Sequence, residues 1–372
     1  MTLLPLRLQR QATDEVTPLR RRDFLAGLLA GALAGCTSRP DGGAALPALP
    51  ARTGQRLGRT GREVELWSWF DLPAADVRSR ELSGIAWDER AGTLWAVQDE
   101  TPNIVPLVPD RDFKTWTFGE TIAVEVGGAV DLEGLVVLPD GFIVCSEVGP
   151  RIVEVDRLGR FRSEIPLPAR FNEARTNKSL ESLTMSPSGR YLFTTTEVAL
   201  GRDGGRATTS AGTRVRIVRM NRDEVTGGFR QTSEHAYETD PAPFDGSDWG
   251  ISDLCAVGDD ELLVMERGFA AGRGNTVRIY HATLDGRASC LGIDELTPRL
   301  PTLDKALRVD LCRLGGAIGL PEPKQPQPTA LLDNYEGLSL GPRLPDGRSS
   351  LIVVSDDNQR ANQVARILVL AV

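Results

Sequence analysis

The sequence predicts an all-β chain folded as a β-propeller of four-stranded blades, and three observations carry that reading. One phrase recurs five times: an apolar strand, a turn containing Gly or Asp, then a second strand rich in β-branched or aromatic residues. Its key position falls at residues 83, 133, 181, 252 and 336, intervals of 50, 48, 71 and 84. A period near fifty residues with further strands between the copies is the cue of a propeller blade, which a β-sandwich does not produce. Beyond the N-terminal segment no long stretch keeps a helical period, and 38 Gly and 24 Pro punctuate many short elements.

In chain order, residues 1–35 read as an export signal. Arg21-Arg22 stands before Phe24-Leu25, the mark of the twin-arginine route. The apolar run that follows is too short to span a bilayer as a mature helix. It ends in Leu33-Ala34-Gly35-Cys36, which resembles a lipobox, so Cys36 is the expected lipidation site. Residues 36–61, rich in Pro, Gly, Ala and Arg, read as a flexible tether, and residues 62–372 as the propeller. The protein is therefore expected in the periplasm, as a monomer touching the membrane only through its anchor.

The strand "REVELWSWF" over Arg62–Phe70 has no partner nearby. The five copies follow: "LSGIAWDERAGTLWAVQDE" from Leu82, "LEGLVVLPDGFIVCSEVG" from Leu132, "LESLTMSPSGRYLFTTTE" from Leu180, "ISDLCAVGDDELLVMERG" from Ile251 and "YEGLSLGPRLPDGRSSLIVVSDDN" from Tyr335. "RIVEVD" and "FRSEIPL" after the second copy, and "TVRIYHA" and "ALRVDLC" after the fourth, supply outer strands. The last unit has three strands of its own, ending in "ARILVLAV", so the orphan strand can complete it and remove the exposed sheet edges. Insertions at Gly201–Gly212 and Gly286–Asp304 lengthen two intervals. The count is five blades, or six if an insertion hides another.

Net charge is −8, and residues 1–35 hold five Arg against Asp14, Glu15 and Asp23, so the remainder sits near −10. That balance excludes a nucleic-acid partner, whose phosphates need cations. Of the cysteines past Cys36, Cys145 and Cys255 lie in apolar strands, whereas Cys290 and Cys312 flank an irregular stretch and are the better disulfide pair. The six Trp residues read as core and blade packing.

Antiparallel pairing brings the start of the first strand and the end of the second to the same rim. The second strand ends in an acid in every copy: Asp99, Glu147, Glu197, Glu266 and Asp356. With 51 acids in 372 residues, about one in seven, five from five is not chance. The first strand begins with Glu133, Glu181 and Glu336 in three copies, and with Ser83 and Ser252 in the others, Asp253 being displaced by one. A propeller mouth collecting such carboxylates needs a cation or Arg to neutralise them. Oxygen donors of this kind suit Ca²⁺ first and Mg²⁺ second, and with only His235 and His281 in the chain a His-rich transition-metal site is excluded. Arg267 after Glu266, and Asn177-Lys178 before Glu181, are placed either to pair with the acids or to take an anionic group. Asp245 and Asp248 in "FDGSDWG" are further loop acids. Two roles stand open for the ring: structural bracing of strand ends, or a cation and substrate site.

No Gly-x-Ser-x-Gly elbow, Walker loop or dinucleotide fingerprint occurs, so metal-assisted attack of water on an ester or phosphoester is the fitting chemistry if the chain is an enzyme. The rival is a non-catalytic propeller binding a ligand or envelope protein. The phrases "DLEGLVVLPDGFIVCSE", "SLESLTMSPSGRYLFTTTE", "ISDLCAVGDDELLVMERGF" and "NYEGLSL…LIVVSDDNQ" together resemble the phytase-like, or "esterase-like activity of phytase", family over Ser79 to Val372. The resemblance implies an exported bacterial β-propeller acting on a small anionic or ester substrate, with acids holding calcium. The matching acids are Glu133, Glu147, Glu181, Glu197, Asp253, Glu266, Glu336 and Asp356. Arg267, Asp357 and Asn358 stand beside them, and with Lys178 they are the expected substrate contacts. The calcium motifs of propeller phytases themselves do not map onto this chain.

Overall fold

The computed structural model describes residues 63–128, 130–284, 286–315 and 318–372. The expected export signal, Cys36 and the expected tether lie outside these. β1 (Glu65–Asp71) comes first and joins the last blade. Blade 1 is β2 (Leu82–Asp88), β3 (Thr93–Gln98), β4 (Asn103–Pro109) and β5 (Trp116–Phe118), with the short β6 (Ile122–Ala123) also on β4. Blade 2 is β7 (Leu132–Leu138), β8 (Gly141–Ser146), β9 (Arg151–Asp156) and β10 (Phe161–Ile165). Blade 3 is β11 (Leu180–Met185), β12 (Tyr191–Thr196), β13 (Arg214–Arg222) and β14 (Phe229–Glu238). Blade 4 is β15 (Asp248–Ala256), β16 (Glu261–Ala270), β17 (Gly274–Thr283) and β18 (Asp304–Asp310). Blade 5 is β19 (Asn334–Leu340), β20 (Ser350–Asp356) and β21 (Arg366–Ala371), completed by β1 running from Glu65↔Ala371 to Asp71↔Arg366. Five antiparallel blades close by the pairing of β1 with β21, as the orphan strand implies, and among the described residues two short 3₁₀ turns are the helical elements.

The strands form where they do because apolar and β-branched residues alternate or run together between turns that demand special backbone. In the β2–β3 turn, for example, Asp88 O accepts from the N–H of Gly92, and Gly92 takes the positive φ of 62° that favours glycine. Strand faces then pack blade on blade. Five apolar clusters result, one at each interface between neighbouring blades. Val97, Ile104, Leu135 and Phe142 fill the interface of blades 1 and 2; Ile217, Phe193, Leu254 and Val264 fill that of blades 3 and 4. Trp87, Trp116 and Trp249 are buried, and Trp67, Trp69 and Trp95 pack partly buried on the clusters, as expected of blade packing.

The two insertions are loops and hide no sixth blade. Both are tied to Arg216 of β13, whose guanidinium is fully buried. It donates to Asp203 at 2.6 and 2.7 Å, to Glu234 at 2.9 Å, and to the carbonyls of Ile293 and Asp294 at 3.0 and 3.1 Å. The expected Cys290–Cys312 disulfide is absent, and none of Cys145, Cys255, Cys290 and Cys312 is in a disulfide. Cys290 sits in a small cluster with Ala236 and Leu296, whereas Cys312 packs on the interface of blades 4 and 5, so the folded sheets hold them apart.

Around the axis the inner strands β2, β7, β11, β15 and β19 each touch the next, β19 touching β2. The approach is close enough to require glycine. A Cβ on Gly134 would stand 2.6 Å from Leu183 Cβ and 2.7 Å from Cys145 Sγ, and one on Gly84 would stand 2.3 Å from Glu133 O. That contact, rather than chemistry, explains the Gly that follows the key residue in three copies.

Candidate functional site

Each inner strand carries a β-bulge at the key position. The register slips between Leu82 and Ile85, Leu132 and Gly134, Leu180 and Ser182, Ile251 and Asp253, and Tyr335 and Gly337. The extra residue, Glu133, Glu181, Ser252 or Glu336 (with Ser83–Gly84 in blade 1), has no rung of its own, so the bulge takes it out of the pleat alternation. The contacts of these residues cross between blades. Ser83 Oγ donates to Glu133 Oε2 at 2.5 Å, and Arg267 Nη2 donates to Glu336 Oε1 at 2.9 Å.

Just outside each bulge lies one further rung, equivalent in all five blades: Glu81 with Asp99, Asp131 with Glu147, Ser179 with Glu197, Gly250 with Arg267, and Asn334 with Asp356. This register corrects the sequence alignment in blade 4. Ile251 pairs with Glu266, so the rung position belongs to Arg267, and Glu266 faces the other way because side chains alternate. Glu266 is fully buried and held by Tyr237 Oη at 2.6 Å, Asp240 N at 2.8 Å and Lys305 Nζ at 2.7 Å. It braces blade 3 against blade 4 and does not join the other acids. The five-from-five pattern is thus four acids and one arginine.

The mouth divides into two sectors. In one, two cations pair with some of the acids. Lys178 Nζ lies 2.7 Å from Glu197 Oε2 and 3.1 Å from Asp248 Oδ2, and Arg267 binds Glu336 and, through Nη1, Asn334 Oδ1 at 2.5 Å. Asn334 Nδ2 in turn donates to Glu336 Oε1 at 2.8 Å and to Asp356 Oδ2 at 3.4 Å. Burial acts against the Arg267 charge, but the carboxylates of Glu336, Glu197, Glu181 and Asp356 hold its pKa above the usual value. Asp245 is exposed on its loop.

In the other sector Asp131, Glu133 and Glu147 each place a carboxylate oxygen within 4.8 Å of the other two. Among the described residues no Lys or Arg forms an ion pair with any of the three. Glu147 Oε1 accepts from Ser179 N at 2.7 Å, and Glu133 has the Ser83 hydroxyl. Burial, then the charges of Glu336 and Asp131, pushes Glu133 well above the carboxylate range. Burial raises Asp131, and burial with the charges of Asp131 and Glu197 brings Glu147 to about 7. Beside them Asp99 is pushed to about 8 by burial and by Glu336, Glu81 and Asp131. Glu181, buried near Glu133 and Glu197, and Asp356, buried near Glu336, are likewise raised well above the ordinary range.

The remaining predicted site residues are spread out. Asp253 lies deeper on the axis, 2% exposed, its carboxylate accepting from Leu254 N and Leu338 N at 2.7 Å each. Asp357 Oδ1 accepts from Glu81 N at 3.2 Å and Gln359 N at 3.1 Å, joining blade 5 to blade 1. Asn358 is exposed with a positive φ of 45°, and its N–H caps Asp356 Oδ1 at 2.8 Å. Asp131 was the residue that sequence reasoning left out, although it stands in the phrase "DLEGL". Its signal was available: it precedes the strand at the same offset as Glu81, and that offset is the outer rung.

The profile of the phytase-like family, "esterase-like activity of phytase", matches residues 78–359. The chain belongs to the phytase-like family. That match spans all five inner strands and the whole acidic mouth. A search of the curated proteins found no match. Among solved structures the phytase-like chain is similar to a putative oxidoreductase (glucose dehydrogenase) of Thermus thermophilus, at 14% identity over 83% of this chain and 100% of that one, with a TM-score of 0.38. It is also similar to a Lactobacillus plantarum protein, at 16% identity over 74% of this chain and 64% of that one (TM-score 0.37). The tail fiber of Staphylococcus aureus phage P68 matches at 10% identity over 83% of this chain and 52% of that one (TM-score 0.44).

Proposed function

We propose that this phytase-like propeller is an exported, lipid-anchored hydrolase. Its acidic mouth holds a divalent cation, calcium before magnesium, and acts on an ester or phosphoester of a small anionic substrate. One observation carries the reading: Asp131, Glu133 and Glu147 converge within 4.8 Å with no ion pair to any of them among the described residues, while Glu197 and Glu336 across the mouth are paired with Lys178 and Arg267. The donors are hard carboxylate oxygens, which fit Ca²⁺ or Mg²⁺ and not a soft metal.

When bound, the cation supplies positive charge that polarises an ester or phosphoryl oxygen. The protein's part is to fix the donors. The bulge presents Glu133, the outer rung pairs Asp131 with Glu147, and Ser83 and Ser179 N orient two of the carboxylates. Lys178 and Arg267, both paired with acids of the mouth, are the nearest cations for the substrate's own charge. Export rests on Arg21-Arg22 and the anchor on Cys36.

The test joins binding to turnover. Calcium should raise the thermal midpoint of the purified protein, and a generic ester, a generic phosphomonoester and phytate are assayed with and without chelator. No stabilisation by Ca²⁺ or Mg²⁺, no turnover, and no effect of Glu147→Gln would overturn the reading. Cation binding without turnover would assign the mouth to a binding module instead. Cys36→Ser should release the protein from membranes.

A further inference from the structure

The channel has a second mouth, at the turn end of the inner hairpins, and nothing in the acidic site uses it. There the C-terminal halves of all five inner strands open into a cavity of about 230 Å³, with Leu135, Val137, Met185 and Leu338 among its walls. Between the two mouths the neighbouring inner strands approach closely. A Cβ on Gly337 would stand 2.6 Å from Ser83 O, one on Gly84 only 2.3 Å from Glu133 O, and the Asp253 carboxylate bridges β15 to β19 in the same layer. None of Asp131, Glu133 and Glu147 lines the cavity, which is a site separate from the cation site.

Most of its side-chain polar groups are already used. Inside, Ser339 Oγ accepts from Trp87 N at 3.1 Å and donates to Leu340 O at 3.0 Å. Ser186 Oγ accepts from Tyr191 N at 3.2 Å, and Thr184 Oγ1 accepts from Ala256 N at 3.0 Å. The walls thus offer an occupant apolar contact rather than open hydrogen-bonding groups. On the rim Asp88 accepts from the N–H groups of Arg90 and Ala91 and pairs with Arg157 at 3.3 Å, while Arg157 also donates to Leu138 O at 2.6 Å. Glu89 accepts from the Trp87 indole at 2.8 Å. Arg90 is exposed on the same rim, and among the described residues its guanidinium engages no acceptor.

We propose that this mouth binds a small amphipathic anion, an apolar body seated in the cavity with a carboxylate or sulfonate head on Arg90. The volume lies below the ~300 Å³ at which drug-sized sites begin, so the body is of fragment size. A guanidinium is the side chain best suited to clasp a planar or tetrahedral anionic head.

The test titrates the full chain with naphthalene sulfonate by fluorescence and displaces it with octanoate. A single saturable site is expected, indifferent to calcium and chelator. Arg90→Ala should weaken it about tenfold, the scale of one charge-assisted hydrogen bond, and Arg90→Lys should recover most of that loss. Met185→Trp, which fills the cavity from a partly buried position, should abolish binding; Arg90, being exposed, keeps the test sound if that variant folds poorly. Three results would overturn the assignment: no saturable binding to the native chain, binding indifferent to both Arg90→Ala and Met185→Trp, or binding lost on Glu147→Gln.

Discussion

Replacing Glu147 by Gln should make the metal-free protein more stable and the calcium-loaded protein less so. Glu147 is 7% exposed and its pKa is pushed to about 7, from an ordinary 4.5, by burial and the charges of Asp131 and Glu197. A folded-state value above the unfolded one means that the native state binds more protons between the two. Stability is therefore fully present below about 4.5 and lost as pH rises through about 7. The shift corresponds to roughly 3.5 kcal/mol at about 1.4 kcal/mol per pH unit, and water at the open mouth reduces the expected effect to about 2 kcal/mol. Glutamine keeps an oxygen for the Ser179 N–H bond at 2.7 Å but cannot ionise. At pH 8.5 with chelator, thermal or urea unfolding should show the variant about 2 kcal/mol more stable than the native chain, and at pH 4 the two should agree. With calcium the order should reverse at pH 8.5, because the native carboxylate gains a ligand and the amide does not. If the variant is less stable at pH 8.5 without metal, or if calcium stabilises both equally, Glu147 is a strand brace and the cation assignment at this sector fails.

Three further outcomes follow from the packing. Arg267→Gln strands Glu336 without its partner at 2.9 Å and should cost about 3 kcal/mol in urea unfolding, while Arg267→Gln with Glu336→Gln should recover most of it; equal loss in both variants would refute the pairing. Gly134→Ala drives a Cβ to 2.6 Å from Leu183 Cβ and should destabilise by about 2 kcal/mol or more by thermal unfolding, whereas Gly92→Ala, with nothing within 4 Å, should show only the milder strain of its positive φ. Thiol titration of the denatured protein without reductant should count Cys145, Cys255, Cys290 and Cys312 all as thiols, and a loss of two would restore the disulfide reading.

The repeat, the blade and the closing strand were legible because they depend on local pattern. Leu132–Leu138 and Gly141–Ser146 alternate or run apolar around a Pro-Asp turn, and that is enough to make a hairpin wherever the chain goes. Most of the acidic rim was legible for the same reason, since antiparallel pairing places strand starts and ends together. Glu266 was misread because the phrase in blade 4 can be aligned in two registers one residue apart, and a one-residue slip sends a side chain to the opposite face. Asp131 was passed over because it stands before the strand, where no periodicity marks it.

By itself the sequence determined the all-β class, the fifty-residue blade, the closing role of the strand before Leu82 and the presence of a carboxylate-lined mouth. Only the tertiary structure decided which carboxylates keep company with a cation. Arg267 reaches Glu336 across 69 residues and Lys178 reaches Asp248 across 70, while Asp131, Glu133 and Glu147 are left together. Charge neutralisation depends on distances of a few ångströms between blades, and those distances are set by ring closure and the bulges, which no local pattern records.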